Sequence, residues 1–110
     1  MLVQPLCGER RVAYCYVRPE CHADFERYVA TKLGDHAALH RSADLIAQNW
    51  FGPGAPHPRL AERVGDYMLV MNSNCTLKDW LPNEKRHAHI GVHGGISDDE
   101  MYVPLITLTA

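Results

Sequence analysis

The sequence predicts an α+β domain, a small mixed sheet with two or three helices on one face, and three observations carry that expectation. A β-rich run, Val12 to Val17, is followed by Phe25, Tyr28, Val29 and Leu33 at helical spacing within Glu20 to Leu33. A second apolar run, Asp66 to Met71, reads as a clear strand. Between them lies a stretch too rich in proline and glycine for regular structure.

The elements follow in order. Arg10-Arg11 and Arg18-Pro19 bracket the first strand, and Gly34-Asp35 stops the helix after it. Ala37 to His40 reads as a short strand. Ser42 offers an N-cap to a helix carrying Ala43, Leu45, Ile46, Asn49 and Trp50. Gly52 to Pro58 holds three prolines and two glycines in seven residues, which makes it a stiff exposed loop. Pro58 suits the first turn of a helix to Val64, and Gly65 ends it. After the strand to Met71, Asn72-Ser73-Asn74 forms a turn, and Thr76-Leu77 is expected to pair back as a hairpin partner. Leu81 to Arg86 is polar linker, His89 to His93 a short strand, and Ser97-Asp98-Asp99-Glu100 a capped helical turn. Val103 to Thr109 is expected as a last strand, which Pro104 confines to an edge or a beginning.

With 110 residues the chain is expected to form a single domain, residues 1–110, with a modest core. A net charge of -2 and a pI near 6.4 argue against a nucleic-acid surface, whose footprint is a basic patch. No basic leader and no run of about eighteen apolar residues is present, so no membrane partner is expected and the chain reads as cytoplasmic. Cysteines 7, 15, 21 and 75 show no CxxC spacing, which argues against a zinc knuckle, and Cys15 reads as a small core residue.

His93 is the most informative residue. It ends an apolar segment and runs into Gly94-Gly95, where the lack of side chains leaves room for an ion or a phosphate oxygen to approach the imidazole. The same residues also fit an ordinary turn beside a half-exposed histidine. His57, between two prolines, reads either as a substrate-facing residue or as loop packing. Asp66 is expected to cap the preceding turn or to orient Arg63. His89 and His93 share strand parity, but lie about 13 Å apart by strand rise, too far to share one zinc ion. Asp98, Asp99 and Glu100 are explained by the positive end of a helix, and Asp35-His36 by a turn.

The segment His93-Gly94-Gly95-Ile96-Ser97-Asp98-Asp99-Glu100-Met101-Tyr102-Val103-Pro104-Leu105-Ile106 resembles the terminal segment of bacterial alkaline-phosphatase-superfamily proteins, the group of type I phosphodiesterases, nucleotide pyrophosphatases and PglZ-like proteins. Phe51 to Leu60, with Arg63-Val64-Gly65-Asp66-Tyr67, is similar to the segment preceding that terminus, and Ala13 to Pro19 to the strand that enters the region. The resemblance covers nearly the whole chain.

It implies a cap-like part over residues 1–80 and a terminal core-like segment over 81–110. It also implies that His93 is a late ligand of a divalent metal, zinc, in a phosphoesterase acting on a small phosphoester. The family's nucleophile and remaining ligands have no counterpart here: Thr31, Thr76, Thr107, Thr109, Ser42, Ser73 and Ser97 stand outside the family's nucleophile context. The expectation is therefore the C-terminal portion of such an enzyme, inactive by itself, whose partner is the missing core on the same or a separate chain. The alternative is a stand-alone binding or homo-oligomerisation module that uses an exposed strand edge or the proline loop. An independent hydrolase would need three metal ligands, which this sequence does not assemble.

Overall fold

The computed structural model describes residues 1–87 and 89–109. Four strands form one sheet in the order β1-β2-β4-β3: β1 is Cys7–Gly8, β2 Val12–Cys15, β3 Ala37–Arg41 and β4 Tyr67–Met71. The helices are α1 (His22–Lys32), α2 (Ser42–Ala47), α3 (Leu60–Val64) and α4 (Asp98–Met101), with a 3-10 turn at Pro19–Cys21 leading into α1.

The class is α+β, and every ladder in the sheet is antiparallel rather than mixed. The reason lies in the strand order. β2, α1 and β3 form a strand-helix-strand unit whose two strands run in the same direction, as such a unit dictates. They are not neighbours, because β4 inserts between them and pairs antiparallel with both, Val12 to Cys15 against Val70 to Tyr67 on one side and Ala37 to Arg41 against Met71 to Tyr67 on the other.

β4 is consequently flanked on both edges and covered on both faces, and all five of its residues are buried. Its unbroken apolar run has the character of an interior strand. On one face, Phe25 and Val29 of α1, one turn apart, pack on Ala13, Cys15, Val17, Ala37, Tyr67, Leu69 and Met71. On the other, Leu45 of α2 packs on Met68 and Val70, with Val12 and Tyr14 beside them. The helices thus lie on both faces, not one. Cys15 is fully buried, as expected of a core thiol, and burial pushes its pKa up to about 12.

Several elements differ from expectation. Arg41 occupies the N-cap position of α2, and Ser42, inside the first turn, donates its hydroxyl to the Val64 carbonyl at 3.1 Å, tying α2 to the end of α3. α2 stops at Ala47, well short of Trp50, and Asn49 adopts a left-handed φ of 61° just beyond it. Thr76-Leu77 is not a strand; Leu77 donates its amide to the Arg10 carbonyl at 2.8 Å. Both edges of β4, the strand that segment was expected to pair back on, are taken by β2 and β3, and the outer edge of β2 is taken by β1 and by a Leu2–Val17 bridge, both from an N-terminal stretch with no strand signature.

His89–His93 is irregular and exposed and joins no edge of the sheet. Val103 to Thr109 is likewise unpaired, with Val103, Leu105, Ile106 and Leu108 between 81 and 93% exposed. Strand propensity describes how a residue fits a pleated, half-buried surface and has no effect where that surface is missing. The radius of gyration, 16.3 Å, exceeds the roughly 13 Å expected of a tightly packed chain this long.

Candidate functional site

The His93 loop is built on α4. Ser97 caps that helix and Glu100 occupies its third position; the Ser97 amide and hydroxyl donate to Glu100 Oε2 at 3.3 and 2.6 Å, completing a reciprocal capping box as the sequence led one to expect. What the sequence reading missed is the partner on the other side of the carboxylate. Arg11, just ahead of β2, donates from Nε to Glu100 Oε1 and from Nη2 to Oε2, both at 2.7 Å, and from Nη1 to the Cys75 carbonyl.

Arg11 is only 4% exposed, and each of its three guanidinium nitrogens donates to one of these acceptors. The two-point fork holds the Glu100 carboxyl down to about 2, with the Ser97 hydroxyl adding to the effect. The carboxylate in turn raises the pKa of Arg11. A signal for this clasp was present: Arg11 has the parity of Ala13, Cys15 and Val17, all inward, and a charge on the inward side of a strand demands a buried counter-ion.

The clasp accounts for the paired glycines. Gly94 has φ +88°, a conformation L side chains rarely adopt, and a Cβ there would meet the Glu9 side chain at 2.9 Å. A Cβ on Gly95 would lie 2.1 Å from Glu100 Oε2. The Cβ positions of these two glycines thus face Glu9 and Glu100. His93 itself is exposed, on the solvent side of the fastened loop.

His57 is also exposed, and its Nδ1 accepts the Arg59 amide at 3.1 Å, while Arg59 Nε pairs with Glu62 at 2.9 Å. This is local loop packing through a backbone donor. His57 and His93 share neither a hydrogen bond nor a cleft among the described residues. Asp66 neither caps α3 nor orients Arg63; it accepts the Val17 amide at 2.7 Å and so extends the β2–β4 ladder.

Among the described residues, no three His, Cys, Asp or Glu side chains converge to hold a metal ion. His93 offers one donor, which does not fit a resident ion within this chain alone. The neighbouring open cleft of about 640 Å³ lies between Arg10, Ser73, Thr76, His89, Asp99 and Glu100. His87 and His89 stack edge to face there at 4.7 Å, Arg10 donates to the His87 carbonyl at 3.1 Å, and the Arg10 charge lowers the pKa of His89.

A second polar cluster escaped the sequence reading. Glu26 of α1 accepts from Arg41 at 2.7 Å and from the Tyr67 hydroxyl at 2.8 Å, with the His22 ring against Tyr67 at 5.3 Å. Arg41 is the main cause of the lowered Glu26 pKa. His22 and Glu26, one helical turn apart, were its signal. These contacts tie α1 to β3 and β4.

Comparison with protein-family models, curated proteins and solved structures returns no match to this chain. No helix among the described residues is long and apolar enough to cross a membrane.

Proposed function

We propose that this chain supplies a cap-like domain and a histidine-bearing terminal segment to a cytoplasmic, metal-dependent phosphoesterase of the alkaline phosphatase superfamily, and that it is inactive by itself. The observation that carries the reading is the juxtaposition of two features. His93 sits on a loop fastened by Arg11 and Glu100, and a few residues later the chain displays apolar, unpaired residues from Val103 to Leu108. A single exposed donor beside an uncovered apolar segment suits a piece completed by another polypeptide surface.

In that assembly the remaining zinc ligands and the nucleophile come from the core, and the ion supplies charge stabilisation at the phosphoryl group of a small phosphoester. The role of this chain is to present the His93 imidazole and, through the loop carrying His57, to shape access.

The test is complementation. The chain alone with zinc should not hydrolyse bis(p-nitrophenyl) phosphate. Added to a purified superfamily core cut before its own HGG segment, it should restore turnover, and His93→Ala should not. Hydrolysis by the isolated chain, or equal restoration by His93→Ala, would overturn the reading. A homo-oligomeric module is the second reading, favoured by the open outer edge of β3 together with the same apolar tail; a concentration-dependent dimer with no complementation would select it.

A further inference from the structure

A second pair of chemically active side chains lies away from the His93 loop and has no part in the proposed function. His36 ends the turn between α1 and β3, and Cys75 ends the turn after β4. Because Ala37 pairs with Met71, the two turns emerge side by side. Cys75 Sγ lies 3.7 Å from His36 Nδ1.

Both residues are held through their backbones. The His36 amide donates to Leu33 at 2.8 Å and its carbonyl accepts from Asn72 at 2.8 Å; the Cys75 amide donates to Asn72 at 3.0 Å, and its carbonyl accepts from the buried Arg11. The thiol is partly exposed. It opens on a hollow of about 270 Å³ walled by Leu33, Ala37, Met71 and Leu77. The other three cysteines lack this setting: Cys15 is sealed in the core, Cys7 is exposed beside Gln4 and the Pro5 carbonyl, and Cys21 has no hydrogen bond to an imidazole among the described residues.

We propose that Cys75 and His36 form a nucleophilic thiol site that takes small carbon electrophiles bearing an apolar substituent, of the α,β-unsaturated carbonyl class. The thiol proton passes from Sγ to His36 Nδ1, and the sulfur electron pair forms a C–S bond to the β-carbon. The displaced π pair takes a proton at the α-carbon from the imidazolium, which returns to neutral imidazole. Nothing leaves, and no oxidant or reductant is required. The hollow receives the apolar substituent.

The experiment is timed alkylation of the intact chain with N-ethylmaleimide, followed by peptide mass spectrometry. Cys7 serves as the exposed control in the same molecule, and Cys75→Ser confirms the assignment. Cys75 should react about tenfold faster than Cys7, and His36→Asn should remove that advantage while leaving the Cys7 rate unchanged. A maleimide carrying a carboxylate tail should lose rate at Cys75 relative to Cys7. The proposal is overturned if Cys75 reacts no faster than Cys7, if His36→Asn leaves its rate intact, or if the charged reagent is accepted equally at both thiols. His36 is exposed and its substitution leaves the core untouched, so a changed rate reports on the pair and not on unfolding.

Discussion

Arg11 and Glu100, 89 residues apart in sequence, meet in a two-point ion pair with both N–O distances at 2.7 Å. Through it the last helical turn of the chain is fastened to the beginning of the sheet. Removing one partner leaves the other without a counter-charge, and Arg11 is the buried member. Glu100→Gln should therefore release residues 94–101, with amide exchange at Glu100, Met101 and Tyr102 rising at least about tenfold while β4 stays protected. Unchanged exchange at those amides would show that the loop is held by something else.

The same pair sets a pH response. The Glu100 carboxyl is held at about 2 in the folded chain, below the 4.5 it has when free. A depressed carboxyl contributes stability that is present above the unfolded value and lost as pH falls through the folded one. The clasp should thus remain closed at pH 5 and open between about pH 4.5 and 2, read from the Glu100 side-chain carbon shift. In Glu100→Gln the loop should show no transition in that window.

Gly95→Ala should open the same clasp from the other side, because the added methyl would meet the Glu100 carboxylate 2.1 Å away. Combined with Glu100→Ala, it should add little further change in exchange, since both act on one contact. Additive effects would separate the glycine from the carboxylate.

In the core, Leu69 and Leu45 lie on opposite faces of the sheet in separate clusters. Each substitution by alanine should cost about 2–5 kcal/mol in denaturant unfolding, through lost burial and the cavity left behind. The two should be additive if the faces act independently.

The tail offers the opposite case. Ile106→Asp and Leu108→Asp should change the unfolding free energy by no more than about 0.5 kcal/mol, because these side chains are 86 and 93% exposed. They should, however, abolish complementation of the core. A clear loss of stability would mean that the tail packs on this same molecule.

The first strand, α1 and β4 were legible because their patterns are local: alternating or continuous apolar runs and helical spacing. The capping box at Ser97 and Glu100 was legible for the same reason, a side chain meeting a backbone three residues away. Arg11 was not linked to Glu100, since no local pattern connects residues 89 positions apart. Thr76-Leu77, His89–His93 and Val103–Thr109 have strand composition but lie outside the sheet: β2 and β3 take both edges of β4, β1 and Leu2 take the outer edge of β2, and composition does not reveal which edge, if any, a segment joins. The need for glycine at 94 and 95 was equally hidden, since it comes from Glu9 and Glu100, both brought there by the tertiary fold.

The central place of β4 also dictates an order of assembly. β2 and β3 share no hydrogen bonds, so a nascent chain that has passed Arg41 holds two strands with nothing to join them. Residues 67–71 are the piece that closes the structure, and until they leave the ribosome both strands present bare edges to whatever is nearby. Closure of the sheet therefore waits for β4, and a translational pause placed before Tyr67 would prolong the exposure of those edges.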